Sequence, residues 1–253
     1  LQSLFSQNII PLFSQEDWGR RGHEFTQKNF FERVGCKAHV IVYVRPQVSW
    51  LNSGWWQWRA WEKESTSIQD HIHTRRGVNC SLWASQIQCW KNNKNISNVT
   101  VRLHSNDIIS DFLSVLNLSS CFKKRVENSN ISLAPILIKL LIRNRKLRTP
   151  HLNEVDSILS RHLSFQGRPP WVIDQDLARH IISETYEDNI KLLNMLDSES
   201  VERMKNDPHW WDPTFYQDRK VWTDKDYEFT ETELYDIVDQ AIPSLIKLCL
   251  PKK

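Results

Sequence analysis

The chain lacks any apolar run approaching the ~20 residues that a helix needs to cross a bilayer. Its longest, "LAPILIKLLI" at 133–142, is short and broken by Lys139, so it reads as a buried helix rather than a membrane span. No C-x-x-C occurs among the five cysteines (Cys36, Cys80, Cys89, Cys121 and Cys249). Neither a zinc knuckle nor a redox pair is therefore signalled, and no metal is expected. Charge of one sign is also missing: 33 basic residues stand against 30 acidic ones, a net of +3. That balance excludes a general polyanion binder and leaves no expectation of nucleic acid as a partner, although a local anion site stays open. Internal repeats and low-complexity segments are absent as well.

What is present fits one large domain or at most two small ones: 253 residues, 40% apolar, 25% charged. Twelve tryptophans are unusually many, and each needs its ring buried and its N–H paired. Free thiols point to a reducing, cytoplasmic setting. Five N-x-S/T sequons, at Asn79, Asn95, Asn98, Asn117 and Asn130, keep the secretory lumen as the alternative.

Strand signals fall at 8–13 ("NIIPLF"), at 38–44 ("AHVIVYV") and at 97–105 ("SNVTVRLHS"). The near-continuous β-branched run at 38–44 predicts a strand buried on both faces, as in a parallel sheet covered by helices. Helices are predicted over 46–62, 81–92, 106–120, 131–147, 171–196 and 230–248, with a surface loop at 65–80 and an irregular tail from 205 to the last helix. Strands alternating with helices make an α/β fold with a mainly parallel sheet.

The junction at 40–58, "VIVYVRPQVSWLNSGWWQW", carries the chemistry. Pro46 suits a helix start and holds Arg45 outside it, so the strand ends at Arg45. Ligands of open parallel sheets collect at the carboxyl ends of strands, and a helix N-terminus there favours an anion. A guanidinium at that point can make a forked contact to phosphate. Ser53, two turns further on, returns to roughly the same face and can add a hydroxyl. The plainer alternative is Arg45 on a surface carboxylate and Ser53 as a small helix residue.

A strand, then Arg, then Ser eight positions later inside the next helix, is similar to the 3′-phosphate site of sulfotransferases. Here that frame is "YVRPQVSWLNS". Further segments resemble bacterial members of that family in the expected order: "LFSQEDW" (12–18), the helix and strand of 83–118 with "DIISDFL", and "NSNISLAP" (128–135). Together they cover roughly residues 8–195.

The resemblance implies a P-loop-NTPase-like, sulfotransferase-type parallel sheet flanked by helices, as a single domain over 1–253. The co-substrate would be 3′-phosphoadenosine 5′-phosphosulfate, with Arg45 and Ser53 on its 3′-phosphate and Glu16 as base. The acceptor would be a hydroxyl or amine, carbohydrate by family habit. The family's "K-x-G-T-T-S" loop for the 5′-phosphosulfate is not found in the sequence. Two expectations follow: a chain that starts late, inside the motif, or a non-catalytic descendant that binds nucleotide or a partner. A phosphotransferase is disfavoured by the same missing lysine.

Other candidates carry plainer readings. His39, inside the strand, is expected in the core, and His71 and His73 in a solvated loop. Arg75 and Arg76 could grip an anionic glycan. The tryptophans at 50, 55, 56, 58 and 61 are expected mainly to pack, and "GRPPW" (167–171) and "DPHWWDP" (207–213) could wall the acceptor cleft.

Overall fold

The computed structural model describes residues 11–62, 67–74, 77–105, 107–118, 133–150, 154–165 and 167–249. After a 3-10 turn at Glu16–Arg20 come α1 (Gly22–Gln27), α2 (Phe30–Val34), β1 (Ala38–Val44) and α3 (Gln47–Gln57). Next are α4 (Ile68–His73), α5 (Trp83–Lys91), β2 (Ile96–Leu103) and α6 (Ile108–Val115). The second half holds α7 (Pro135–Arg143), α8 (Glu154–His162), α9 (Gln175–Leu193), α10 (Ser198–Asn206) and α11 (Glu231–Cys249).

The architecture is α/β. Among the described residues the sheet has two strands, β1 and β2, paired in parallel from Val40↔Val99 to Val44↔Leu103. A parallel pair needs a long crossover, and α3, α4 and α5 supply it.

The expectation of burial on both faces is corrected. Val40, Val42 and Val44 of β1 share a face with Val99, Val101 and Leu103 of β2, and Val44, Val101 and Leu103 are buried against Trp83, Ile87, Met204 and Trp210. The other face carries His39, Ile41 and Tyr43 beside Asn98, Thr100 and Arg102, none of them buried. His39 is thus exposed, not a core residue. Its Nε2 lies 2.8 Å from Thr100 Oγ1 and 3.3 Å from Asn98 Nδ2. The physical reason is the period of two: a strand covered on one side only exposes alternate side chains, whatever their type.

Two local expectations also change. Pro11–Phe13 is not in a strand, and residues 8–10 lie outside the described residues, as do Arg75, Arg76 and Asn130. The predicted loop at 65–80 contains α4, whose start is fixed by a capping box between Ser67 and Asp70.

α9 is the spine. Its buried stripe (Leu177, Ala178, Ile181, Ile182, Thr185, Asp188, Asn189, Leu192) follows the helical repeat of three and four. Asp174 caps it by accepting from the Leu177 N–H at 2.8 Å. From this stripe Asp188 reaches the start of α5, accepting from the Ala84 N–H (2.7 Å), the Ser85 N–H (2.9 Å) and the Ser85 hydroxyl (2.6 Å). α5 has no capping side chain of its own, so a carboxylate from another helix satisfies its first amides. The next residue, Asn189, accepts from Gln47 Nε2 at 2.5 Å and so fixes the start of α3.

α3 buries Val48, Leu51, Trp55 and Trp56, and Trp61 follows into the same core. The indoles of Trp56 and Trp61 donate to the carbonyls of Pro170 (2.7 Å) and Trp56 (2.5 Å). These are packing roles, as expected of the aromatic run. α7 is buried as its apolar sequence predicts, and Lys139 escapes isolation by donating to both Glu233 oxygens and the Glu228 carbonyl, each at 2.8 Å. No helix among the described residues is long and apolar enough to cross a membrane.

Candidate functional site

β1 and β2 end side by side. Beyond Val44 and Leu103 the ladder continues by one more bond, from the His104 N–H to the Val44 carbonyl at 2.7 Å. Pro46, with extended ψ of 131°, is the cap residue of α3 rather than its first helical residue, and the helix begins at Gln47. Arg45 therefore stands between strand and helix, as the sequence predicts. Its carbonyl is fixed by the Trp83 indole, which donates at 2.9 Å from the start of α5.

A cleft of about 160 Å³ opens at these strand ends, lined by Val44, Pro46, Leu103, His104, Arg203, Asp207 and Trp210. Arg203 comes from the last turns of α10, and Asp207 caps the 3-10 turn Pro208–Trp210 that follows. Trp210 is buried and floors the cleft from the sheet's apolar side. Burial, and then the nearby Arg45 charge, pull the His104 imidazole below its ordinary value. His104 follows β2 as Arg45 follows β1, so the two residues stand at the same end of the sheet. Asp207 also accepts from its neighbour His209, through the backbone N–H (3.1 Å) and at Nδ1 (2.5 Å).

The predicted site residues separate. Arg45 stands between Val44 and Pro46, which line the cleft, but is not itself one of its lining residues. Ser53 is half-buried one turn beyond Ser49, donates to the Ser49 carbonyl at 3.1 Å, and does not line the cleft. Glu16 opens the 3-10 turn Glu16–Arg20, which meets the far end of α5, where the Trp90 indole donates to the Gly19 carbonyl at 3.0 Å. The Trp83 contact to Arg45 is at the other end of that helix.

The two segments expected to wall an acceptor cleft are linked through Tyr216, which belongs to neither. Trp171 stacks on Tyr216 with centroids 5.5 Å apart and planes 9° from parallel, and the Arg219 guanidinium lies 4.3 Å from the Trp171 centroid. Tyr216 donates to the His209 carbonyl at 2.9 Å, and burial pushes its phenol up to about 12. Asn52 pins this segment to α3, donating to the Pro170 carbonyl (3.1 Å) and accepting from the Val172 N–H (2.9 Å).

A second polar cluster sits on the open face of the sheet. Arg102 donates to both oxygens of Asp111 and to Asp197, while Tyr43 donates to Asp111 at 2.6 Å. The Arg102 guanidinium and the Tyr43 hydroxyl hold the Asp111 carboxyl below its usual range. Burial, then the same carboxylate, raises the Tyr43 phenol. Asp111 belongs to the "DIISDFL" segment, and it clamps α6 to the sheet.

His71 and His73 take different partners: His71 faces Trp55, and His73 lies 4.6 Å from the ring of His180. Among the described residues no group of three or more His, Cys, Asp or Glu side chains converges in a way that would hold a metal ion.

His104 and Arg203 were not singled out in the sequence, whereas Asp207 and Trp210 belong to the segment 207–213 named there as a possible cleft wall. His104 had a signal, since it follows β2 as Arg45 follows β1. Arg203 had none, because only the fold brings a residue a hundred positions away to these strands. No protein-family model, no curated protein and no solved structure matches the chain.

Proposed function

We propose that the protein is a sulfotransferase-like enzyme of P-loop-NTPase-like type, binding 3′-phosphoadenosine 5′-phosphosulfate at the carboxyl ends of β1 and β2. The sulfuryl group would pass to a hydroxyl or amine acceptor, carbohydrate by the resemblance. The observation that carries the reading is a cleft at one end of two parallel strands, lined by His104 and Arg203, with Arg45 between the lining residues Val44 and Pro46. At about 160 Å³ the cleft suits one phosphate or sulfate group and is smaller than the ~300–1,000 Å³ of sites that enclose a whole ligand. Arg203 lines the cleft and supplies positive charge for that group, and the reading adds Arg45 from beside the lining residues Val44 and Pro46. Trp83 holds the Arg45 backbone in place, and Asp207 limits the net charge.

In the transfer the acceptor oxygen or nitrogen attacks sulfur, the bond from sulfur to the phosphate oxygen breaks, and 3′-phosphoadenosine 5′-phosphate leaves. The acceptor's proton must go to a base. The resemblance gives that role to Glu16; at the cleft itself, the His104 imidazole is a lining group able to accept a proton.

Calorimetric titration with 3′-phosphoadenosine 5′-phosphate tests the site. Arg45→Ala is expected to weaken binding at least tenfold, as loss of a charge-assisted hydrogen bond of about 1.5–3 kcal/mol requires. Binding that Arg45→Ala leaves unchanged, or no binding at all, overturns the assignment. The engaged Ser53 hydroxyl favours one second reading, a nucleotide-binding protein without transferase activity. That reading keeps the calorimetric result and shows no sulfuryl transfer.

A further inference from the structure

Asp207 is an unexpected lining residue for a cleft that takes an anion. It sets a carboxylate beside Arg203, which comes from the last turn of α10. A carboxylate in that wall opposes a phosphate or sulfate group. Asp207 does not stand alone, however. It accepts from the His209 backbone N–H at 3.1 Å, which caps the 3-10 turn Pro208–Trp210, and it contacts His209 Nδ1 at 2.5 Å.

The His209 imidazole is held on its other sides too. Its ring centroid lies 4.0 Å from that of Phe215, and its carbonyl accepts from the Tyr216 hydroxyl at 2.9 Å. A carboxylate can only accept, so the proton of the Asp207 contact sits on Nδ1 and leaves Nε2 to gain or lose the second proton. With 33% of its side chain exposed, His209 exchanges that proton with water. His104 lines the same cleft from the end of β2. One imidazole thus stands in the wall and a second behind the Asp207 carboxylate.

The neighbouring groups are fixed in charge. Arg203 comes from α10, Arg45 stands beside the lining residue Pro46, and Arg219 lies 6.0 and 5.5 Å from the Phe215 and Tyr216 rings. Guanidinium groups stay charged, and burial keeps the Tyr216 phenol protonated by pushing it up to about 12. Imidazoles change charge between about pH 8 and pH 5.

We propose that the strand-end cleft, taken as the phosphate or sulfate site assigned above, binds its anion together with protons, with His209 as a positioning residue that acts on the cleft through Asp207. With His209 neutral, the Asp207 carboxylate faces the anion uncompensated. Charged His209 offsets that carboxylate, and charged His104 meets the anion directly. The bound anion favours the charged imidazoles, so the complex holds more protons than the free protein and affinity rises as pH falls.

Sulfate is the probe, because it keeps both charges over this range, whereas a phosphate monoester titrates within it. The full chain is titrated calorimetrically with sodium sulfate at constant ionic strength between about pH 8 and pH 5.5. Affinity should rise about tenfold toward acid, as follows when one imidazole holds its proton tenfold more tightly in the complex. Two buffers of different ionisation enthalpy should report proton uptake with each sulfate bound. His209→Asn keeps a donor for Asp207 where Nδ1 stands but cannot become charged. It should retain only about a threefold gain, departing from wild type most in acid and least in alkali. His209→Asn combined with His104→Asn should bind alike at every pH.

A wild-type affinity that is flat with pH overturns the inference. So does a His209→Asn profile parallel to that of wild type, the result expected if His209 only holds Asp207 in shape. Titration with 3′-phosphoadenosine 5′-phosphate in parallel separates two failures. Nucleotide bound while sulfate fails to bind, or binds alike at every pH, keeps the proposed function and overturns the proton coupling. Neither ligand bound overturns both.

Discussion

The two faces of the β1–β2 sheet are built from the same strands and do different work. One face is a row of valines closed by Leu103, shut against α5 and Trp210. The other carries His39, Ile41, Tyr43, Asn98, Thr100 and Arg102, linked to α6 and α10 through Asp111 and Asp197. The apolar row gains from removal of surface from water, which is independent of direction. The polar row gains from a few charge-assisted bonds whose worth depends on solvent, salt and pH. The cleft forms where the rows run out: Val44 and Leu103 end the apolar row and become its walls, while Arg45 and His104 continue the polar parity beyond the strands. The charge at the end of β1 is thus the last member of a polar row already present in the strand.

The comparison breaks first if the apolar row does not dominate. Leu103→Ala is expected to cost about 3 kcal/mol in denaturant unfolding, from lost burial and an incompletely collapsed cavity. A cost below about 1 kcal/mol would mean that the sheet is held from its polar side.

Asp111→Asn is the matching change on the open face. Arg102 and Asp111 both keep contact with water, so screening holds the expected loss to about 1 kcal/mol at neutral pH. The sign with pH follows from the direction of the shift. The Asp111 carboxyl is lowered in the folded state, so its contribution is fully present above the unfolded value of about 3.9 and is lost as pH falls through the folded value. The gap between wild type and Asp111→Asn should be flat from pH 6 to 8 and close below about pH 4. A gap that persists into acid would assign the loss to shape rather than charge.

Much of this division was legible, unevenly so. β2 announces its parity, since Asn98, Thr100 and Arg102 alternate with Val99, Val101 and Leu103. β1 hides the same parity because Ile41 and Tyr43 are apolar in composition although they lie on the polar face. Only His39 betrays it, and a single polar residue within a β-branched run is weak testimony for alternation. Arg45 was legible as a strand-end residue because proline chemistry fixes the junction locally. Ser53 was legible by spacing alone, and within the helix its hydroxyl donates to the carbonyl four residues back. Arg203 reaches the cleft through the packing of α10 against the sheet, which no short-range pattern encodes, while Asp207 lies in a segment whose composition had marked it.

His39 gives the smallest expected effect. A core histidine in a buried strand would be costly to replace, since truncation would leave both a cavity and the unpaired Thr100 hydroxyl. On the open face the same truncation lets water take over the contacts to Thr100 and Asn98, so His39→Ala should change stability by no more than about 0.5 kcal/mol. His39→Val sharpens the test, because a β-branched residue on a half-covered strand should be neutral or slightly stabilising. A loss above about 2 kcal/mol in either variant would require the His39 side of the sheet to be covered. It would also make the polar row a second core rather than the path by which charge reaches the cleft.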